Sequence, residues 1–163
     1  IDVRDGFELA LNGELGRGVT ARLSYAWIDA EFDEFVTPDG DFSGNELPGV
    51  PEHQLGARLA WENARGLFVE AEVHAVSDFQ ADNANTAENP GYALLDLRAG
   101  RRWELGNWRV GGFVGMNNVT DERYNENVRV NAFGGRYYEP GPDRHVYGGV
   151  ELRRLFAGPG RAR

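Results

Sequence analysis

Two glutamates and one histidine follow one another at alternate positions near the middle of the chain. Glu70, Glu72 and His74 would share one face of an extended strand, where they could serve acid–base chemistry or bind a metal ion. Alternate groups on a strand stand about 7 Å apart, because each residue rises about 3.3–3.4 Å, and nothing else in the sequence converges on them. A polar strand face explains the pattern better. We therefore predict that the protein is not an enzyme and has no cofactor.

Two further segments carry many side-chain oxygens, which suggests cation or ligand binding. They cover residues 39–46 and residues 80–89. Neither has the regular ligand spacing of an EF-hand, and the same residue types are common in solvated turns. Six positions in them remain candidate ligand-binding residues: Asp39, Asp41, Glu46, Asp82, Asn83 and Asn85. The sequence has no cysteine, so disulfides and thiolate metal sites are excluded.

Apolar and polar residues alternate through most of the chain, as they do in β-strands with two different faces. Residues 7–15 and 19–27 alternate in this way on either side of a glycine turn at residues 16–18. Residues 54–62 and 67–75 repeat the pattern around a turn near residues 64–66. Short turns therefore alternate with long polar loops, which is typical of an up-and-down antiparallel barrel wall.

The second half of the chain continues the same rhythm. Two more arms, over residues 92–105 and 108–119, are joined by the Gly106-Asn107 turn, and a last strand is expected over residues 145–156. The stretch from Tyr124 to Tyr138, turning at Gly134 and Gly135, would lengthen the last hairpin or supply an eighth strand. The predicted fold is thus all-β, an antiparallel up-and-down meander of about seven or eight strands.

Each strand offers one apolar face, and something must cover it. A second sheet, inward closure as a small barrel, or lipid around a transmembrane barrel would each do so. No run approaches the roughly 20 apolar residues of a membrane helix. The chain has 26 acidic and 17 basic residues and a net charge of −9, which argues against a nucleic-acid partner.

Large aromatic residues favour the membrane arrangement. Trp61, Trp103 and Trp108 stand beside the short turns, whereas Tyr25 and Trp27 lie several residues along their strand on the apolar face. Aromatic side chains with a polar edge collect at the two interfaces of a membrane barrel. We predict that these five residues are membrane-interface aromatics. Core aromatics of a soluble β-protein are the alternative explanation.

Several segments, in their order along the chain, resemble TonB-dependent outer-membrane receptors. They are a proline-containing strand entry (Leu47–His53), a loop with its following strand (Ala81–Thr86 and Tyr92–Arg98), an Asn-Leu-x-Asp-x-x-Tyr-like segment (Asn117–Tyr124) and a segment that leads into the final strand (Tyr137–Arg144). In that family the final strand ends in an aromatic residue, here Phe156.

The resemblance implies a bacterial outer-membrane protein that imports a scarce nutrient such as an iron–siderophore chelate. Its partners would be outer-membrane lipid, the rest of the receptor including a plug domain, and a periplasmic energy-transducing protein that delivers the work of the proton gradient. Residues 1–156 would form the C-terminal strands of the receptor barrel, so the sequence is expected to be an excerpt of a longer protein. An isolated piece would have unpaired edges and could self-associate. A small eight-stranded outer-membrane or soluble barrel, acting as a binding or structural module, is the alternative.

The resemblance also assigns roles at the end of the chain. Val150, Leu152 and Phe156 would form the signal that the outer-membrane assembly machinery reads. Two features depart from the family pattern: Arg154 occupies a position where an apolar residue is usual, and residues 157–163 continue past the terminal aromatic. We expect that last segment to be a flexible C-terminal tail.

Overall fold

The computed structural model describes residues 2–154, and its regular elements are β-strands apart from one short 3₁₀ segment. Seven long strands form one antiparallel sheet, called the wall here, and six short strands lie in the connections. The wall strands are β1 (Asp2–Gly16), β2 (Val19–Phe32), β5 (His53–Glu62), β6 (Leu67–Val76), β9 (Tyr92–Leu105), β10 (Trp108–Asn117) and β13 (His145–Arg154). The short strands are β3 (Val36–Thr37), β4 (Gly40–Asp41), β7 (Phe79–Gln80), β8 (Glu88–Asn89), β11 (Asn125–Val128) and β12 (Tyr138–Pro140).

Neighbours along the chain are neighbours in the wall, in the order β1-β2-β5-β6-β9-β10-β13, so the predicted meander of seven strands is confirmed. Tight turns join the strands at one rim. The first of them has Gly16, Arg17 and Gly18 in succession at positive φ (85°, 52° and 78°), a conformation that glycine adopts without steric cost. The described part of the sheet is open, with β1 and β13 at its edges.

The hydrogen-bond register keeps most apolar side chains of the wall on one side. Odd-numbered residues of β1, β2, β5, β6 and β9, and even-numbered residues of β10 and β13, form the apolar face; the others form the polar face. Phe7 stands opposite Trp27, Trp61 opposite Val69, and Val110 opposite Leu152. A slip of one residue at any pair would move a whole strand's apolar set to the polar side, so the alternation fixes the register.

Three long loops leave the opposite rim. Loop A (residues 33–52) contains the β3–β4 ribbon, loop B (77–91) contains β7–β8, and loop C (118–144) contains β11 and β12. The stretch from Tyr124 to Tyr138 therefore supplies no eighth wall strand: β11 and β12 pair with each other, and the chain turns through a 3₁₀ segment at Phe133–Gly135. No helix within residues 2–154 is long and apolar enough to cross a membrane. Predictions for Phe156 and residues 157–163 lie outside the described residues.

Burial is greatest in the loops rather than in the wall. Of the nine buried residues in the described part of the chain, five belong to loops: Leu47, Ala81, Asp82, Asn89 and Asn118. Four buried residues belong to wall strands: Ala30, Phe68, Gly111 and Gly115. The wall itself is a single layer, so its apolar face has no second layer to bury it within the described chain. The loops, by contrast, pack on one another.

Candidate functional site

The apolar face is exposed along its whole height. Val150 is 83% exposed, Leu152 65% and Phe7 55%, and most of the exposed large hydrophobic residues lie on this face. An exposed apolar surface of this extent requires an apolar covering, because patches of more than a few hundred Å² are rare on soluble monomers. The covering must come from outside the described residues.

The polar face carries a ladder of ion pairs. Arg58 Nη2 lies 3.1 Å from Glu70 Oε2, and Arg98 Nη1 approaches the same oxygen at 3.8 Å. Towards the short turns, Arg102 Nη1 lies 2.8 Å from Glu62 Oε2. Glu70 stands directly opposite Arg98 and diagonal to Arg58 on its two neighbouring strands, whereas Arg102 reaches across β6 to Glu62. Such pairs of unlike charge stabilise a sheet modestly. The polar face is thus a charged surface on which several charges pair with one another.

Aromatic rings on the polar face cover glycines of neighbouring strands. A Cβ at Gly115 would overlap the Tyr147 ring, and a Cβ at Gly149 would lie 2.6 Å from Cζ of Phe113. Tyr147 and Phe113 also meet edge to face, with ring centroids 6.1 Å apart. Gly115 and Gly149 are therefore required by close ring contacts on this side of the wall.

Residues Glu70, Glu72 and His74 lie in a row on the polar face, as the alternation predicts. Glu70 is held by two arginines, whereas the His74 ring lies tilted near Tyr92, with ring centroids 6.2 Å apart. Within residues 2–154 no group of three or more histidine or acidic residues is placed to hold a metal ion.

The predicted interface aromatics occupy both ends of the apolar face. Trp61 lies near the end of β5, beside the short-turn rim. Trp27 stands opposite His53, which precedes Trp61 by eight positions, so the two tryptophans are about 26 Å apart along the strand direction. The polar edges at the loop end are hydrogen bonded: Trp27 Nε1 donates to Glu52 at 2.9 Å, and the Tyr25 hydroxyl lies 2.9 Å from His53 Nδ1. Trp103 and Trp108 lie on the β9–β10 hairpin beside its short turn. Their interface role stays a prediction.

Loop B contains a buried carboxylate that ties it to loop C. Asp82 is 8% exposed and accepts hydrogen bonds from the Thr86 backbone (2.8 Å), the Thr86 hydroxyl (2.7 Å) and the Tyr137 hydroxyl (3.1 Å). Burial alone would raise the pKa of Asp82, but these bonds to the charged form outweigh it and hold the pKa below its ordinary value. The bond to Asp82 raises the pKa of Tyr137.

Four asparagines connect loop B to its two neighbours. The Asn85 side chain donates to the Glu46 carbonyl (3.0 Å) and accepts from the Glu46 amide (2.9 Å), copying a backbone pairing. Asn83 exchanges hydrogen bonds with Asn131 at 2.9 and 3.0 Å, and Asn45 donates to the Asn83 carbonyl at 2.8 Å. The three loops therefore form one connected unit, called the loop platform here, which contains residues 45–46, 82–86, 131 and 137.

The six candidate ligand-binding residues thus separate into two groups. Glu46, Asp82, Asn83 and Asn85 belong to the loop platform, where side chains or backbone of each hold loops together. Asp41 caps its own turn by accepting from the amide and hydroxyl of Ser43 at 3.0 and 2.6 Å, and these bonds lower the pKa of Asp41. Asp39 is exposed near the tip of the β3–β4 ribbon. Sequence reasoning missed Tyr137 and Asn131, whose partners lie about 50 residues away.

A separate group of hydrogen bonds, called the loop C latch here, fixes the base of loop C. The buried Asn118 side chain donates to the Glu122 carbonyl (2.8 Å) and accepts from its amide (2.8 Å), while the Asn118 amide donates to Asp96. Asp121 then accepts from the Arg144 backbone at 3.1 Å. This latch explains in physical terms why the Asn-x-x-Asp segment stands at this place: it brings the chain back to start β13.

Of the predicted assembly residues, Val150 and Leu152 lie on the apolar face of β13, opposite Gly112 and Val110. Phe156 lies outside the described residues.

The family model described as "TonB dependent receptor-like, beta-barrel" matches residues 2–119. The chain belongs to the TonB-dependent receptor family. Its seven strands are therefore a segment of an outer-membrane receptor barrel wall.

Curated TonB-dependent receptors show the same relationship over most of the chain. The metal-pseudopaline receptor CntO of Pseudomonas aeruginosa is 30% identical over 147 residues, which cover 86% of this chain and 19% of that protein. The probable TonB-dependent siderophore receptor PiuA of Acinetobacter baumannii is 29% identical over 128 residues, 74% of this chain and 17% of that protein. The chain thus spans about a fifth of the length of these relatives. These two relatives are named as receptors, not as enzymes.

Solved receptor structures share the fold. The siderophore receptor PiuA from Acinetobacter baumannii superposes with a TM-score of 0.75 at 24% identity, over 93% of this chain and 22% of that one. BauA, the ferric preacinetobactin receptor of the same organism, gives a TM-score of 0.76 at 21% identity, over 91% of this chain and 22% of that one. At these identities the likeness concerns the fold, and it accounts for the open edges at β1 and β13 as places where a whole barrel continues.

Proposed function

We propose that this chain forms the C-terminal strands of a receptor that imports a metal–siderophore chelate across the outer membrane. The observation that carries the proposal is the wall with two different faces. The lipid face is apolar and exposed, while the lumen face carries ion pairs between neighbouring strands, such as Arg58 with Glu70. That combination fits a large barrel with a polar, protein-filled interior.

The lumen face suits contact with a plug domain. Its arginines and glutamates lie in rows that a folded domain inside the barrel would meet with hydrogen bonds. A polar lining of this kind holds a plug without burying a large apolar area, so the plug keeps the freedom to move. A periplasmic energy-transducing protein would pull on that plug and so couple transport to the proton gradient. Outer-membrane lipid would cover the opposite face.

The cargo class is supported by the printed names of the relatives. They include a metal-pseudopaline receptor, a siderophore receptor and a ferrioxamine receptor. The loop platform would form part of the outer entrance. Asp39 and Asp41 are exposed carboxylates in the β3–β4 ribbon and would meet a cargo, while the platform residues hold the entrance in shape.

The test is uptake of labelled chelates by cells that make the full receptor. A deletion strain and its complemented strain would be given ⁵⁵Fe bound to ferrioxamine B, preacinetobactin, yersiniabactin or citrate, and the pseudopaline chelate of a labelled transition metal. We expect the complemented strain to take up at least one chelate, and to stop when a protonophore collapses the proton gradient. Equal uptake by both strains for all five probes, or uptake that survives the protonophore, would refute the proposal.

The open edges give a second, simpler test of the segment reading. A piece made only of these strands would have β1 and β13 unpaired and would associate with further copies through them. Size-exclusion chromatography with light scattering, with and without detergent, distinguishes the cases. A compact monomer without detergent would support the small soluble barrel instead.

A further inference from the structure

Arginines on the two faces of the wall differ in their partners. On the lumen face, Arg102 pairs with Glu62 and Arg109 pairs with Glu104, each at 2.8 Å. Arg101, one residue from Arg102, points to the lipid face, where it stands opposite Leu67 and Gly112. No carboxylate within residues 4–154 forms an ion pair with Arg101. The charge of Arg101 therefore has no counterion among the described residues.

The Arg101 guanidinium is nevertheless held in place. Its Nε donates to the carbonyl of Arg65, in the β5–β6 turn, at 3.3 Å, and its Cζ lies 5.4 Å from the centre of the Trp103 ring. These contacts direct the side chain towards the short-turn rim and engage Nε and one flat side of the group. The two terminal nitrogens carry the donors with which a guanidinium binds phosphate in a bidentate way.

A second arginine on the same face contacts a tryptophan, two strands away on β13. Arg154 stands opposite Trp108 in the sheet, and its Cζ lies 5.6 Å from the centre of the Trp108 ring. Arg65 adds a third guanidinium in the β5–β6 turn. We call Arg65, Arg101, Trp103, Trp108 and Arg154 the rim cluster. It combines three positive charges with two indole rings at the height where short turns meet the membrane interface.

We propose that the rim cluster binds the phosphate of an anionic glycerophospholipid in the leaflet next to the short turns. Charge complementarity favours this occupant, because the Arg101 guanidinium faces lipid without a carboxylate and gains most from the phosphates at the interface. A zwitterionic lipid brings an ammonium that opposes the three arginines. The lipid rather than free phosphate is indicated by the surface beside the cluster, where Leu105 and Leu152 are 60% and 65% exposed.

The surface also has space for an acyl chain. Gly112 lies between Arg101 and Val150 in the sheet, and a Cβ at Gly112 would meet no atom within 4 Å. A shallow gap therefore runs along the lipid face directly beside the Arg101 side chain. A lipid whose phosphate binds the arginines would lay a chain into this gap. The inference does not depend on which cargo the receptor transports.

The experiment is native mass spectrometry of the full receptor that contains these strands, released from detergent with defined lipids. The probes are dioleoyl-phosphatidylglycerol, dioleoyl-phosphatidylcholine and inorganic phosphate. The variants are Arg101→Gln and Arg154→Gln, and the matched control is Arg153→Gln, which removes the same charge from the neighbouring residue on the lumen face. Heat-dependent mobility in gel electrophoresis verifies that each variant is folded.

We expect the unaltered receptor to retain phosphatidylglycerol about five- to tenfold more than phosphatidylcholine. Arg101→Gln and Arg154→Gln should each lower phosphatidylglycerol retention by about threefold or more, whereas Arg153→Gln should leave it unchanged. Equal retention of the two lipids by the unaltered receptor would overturn the proposal without any variant. So would equal losses in all three variants. Displacement of phosphatidylglycerol by millimolar inorganic phosphate would also overturn it, because the site would then recognise phosphate and not a lipid.

Discussion

A leucine-to-arginine substitution is expected to have different effects on the two faces of β9. Leu97 lies on the apolar face, four positions from Ala93 and six from Trp103, and stands opposite Ala71 and Met116. Leu94 lies on the same strand but on the polar face, opposite His74. Leu97→Arg would place a charge near the bilayer midplane, whereas Leu94→Arg would place it in the polar lumen.

The expected magnitudes differ enough to be measured. A charge at the midplane of a barrel's lipid face costs about 2–4 kcal/mol, which is about 30- to 700-fold in the folding equilibrium. Leu94→Arg loses part of an apolar contact but keeps its charge in water, so about 0–1 kcal/mol is expected. Leu97→Ala separates the loss of the leucine from the effect of the charge, and about 1 kcal/mol or less is expected for it, since Leu97 is 40% exposed and leaves no closed cavity.

The assay is urea-induced unfolding of the full receptor in phosphatidylcholine vesicles, followed by tryptophan fluorescence and by protection from trypsin. We expect the unfolding free energies to fall in the order unaltered, Leu94→Arg, Leu97→Arg, with Leu97→Ala near Leu94→Arg. Equal destabilisation by the two arginine variants would show that the odd-numbered face of β9 does not meet lipid. Greater destabilisation by Leu94→Arg would mean that the faces are reversed.

Three further predictions concern the loop platform and the lumen face. Asp82→Asn or Tyr137→Phe should weaken the link between loops B and C by about 1–3 kcal/mol, seen as faster amide exchange in both loops but not in the wall. The pKa of Asp82 in the folded protein lies below the ordinary value of 3.8, so Asp82 contributes stability that is complete above that value and is lost as pH falls through the folded pKa. Amide hydrogen exchange in loops B and C, corrected for intrinsic rates, should therefore stay constant from pH 7 to about 5 and rise only below about 4. Gly115→Ala should lower the temperature of unfolding through overlap with Tyr147, at a cost of about 1–3 kcal/mol, whereas Gly112→Ala on the same strand should have little effect; equal shifts would contradict the contact.

The loop platform changes the interpretation of the acidic loops. From composition alone, residues such as Asp82 and Asn85 are candidates for ligand binding. Their hydrogen bonds show that they already have structural partners, Tyr137 and Glu46. A buried carboxylate with three donors is expensive to disconnect, so it is better suited to fixing loop positions than to exchanging partners with a cargo.

The alternating sequence determined most of the wall. A side-chain period of two places Leu9, Leu11, Tyr25 and Trp27 on one side whatever the rest of the chain does, and short glycine turns then fix the hairpin register. The seven-strand meander, its turns and the polar face all follow from such local information. The segment from Tyr124 to Tyr138 was the place where local reasoning left two choices, because extended residues pair equally well with the wall or with each other.

Tertiary structure decided the contacts that join distant loops. The bonds of Asp82 with Tyr137 and of Asn83 with Asn131 connect residues about 50 positions apart, and no periodicity marks such partners. Likewise, the sequence shows that arginines occur on both faces, but it does not show their partners. In the structure Arg102 pairs with a glutamate, whereas Arg101 contacts a backbone carbonyl and an indole ring. Strand alternation is a property of neighbours along the chain, whereas pairing of charges and loops depends on which strands the register brings together in space.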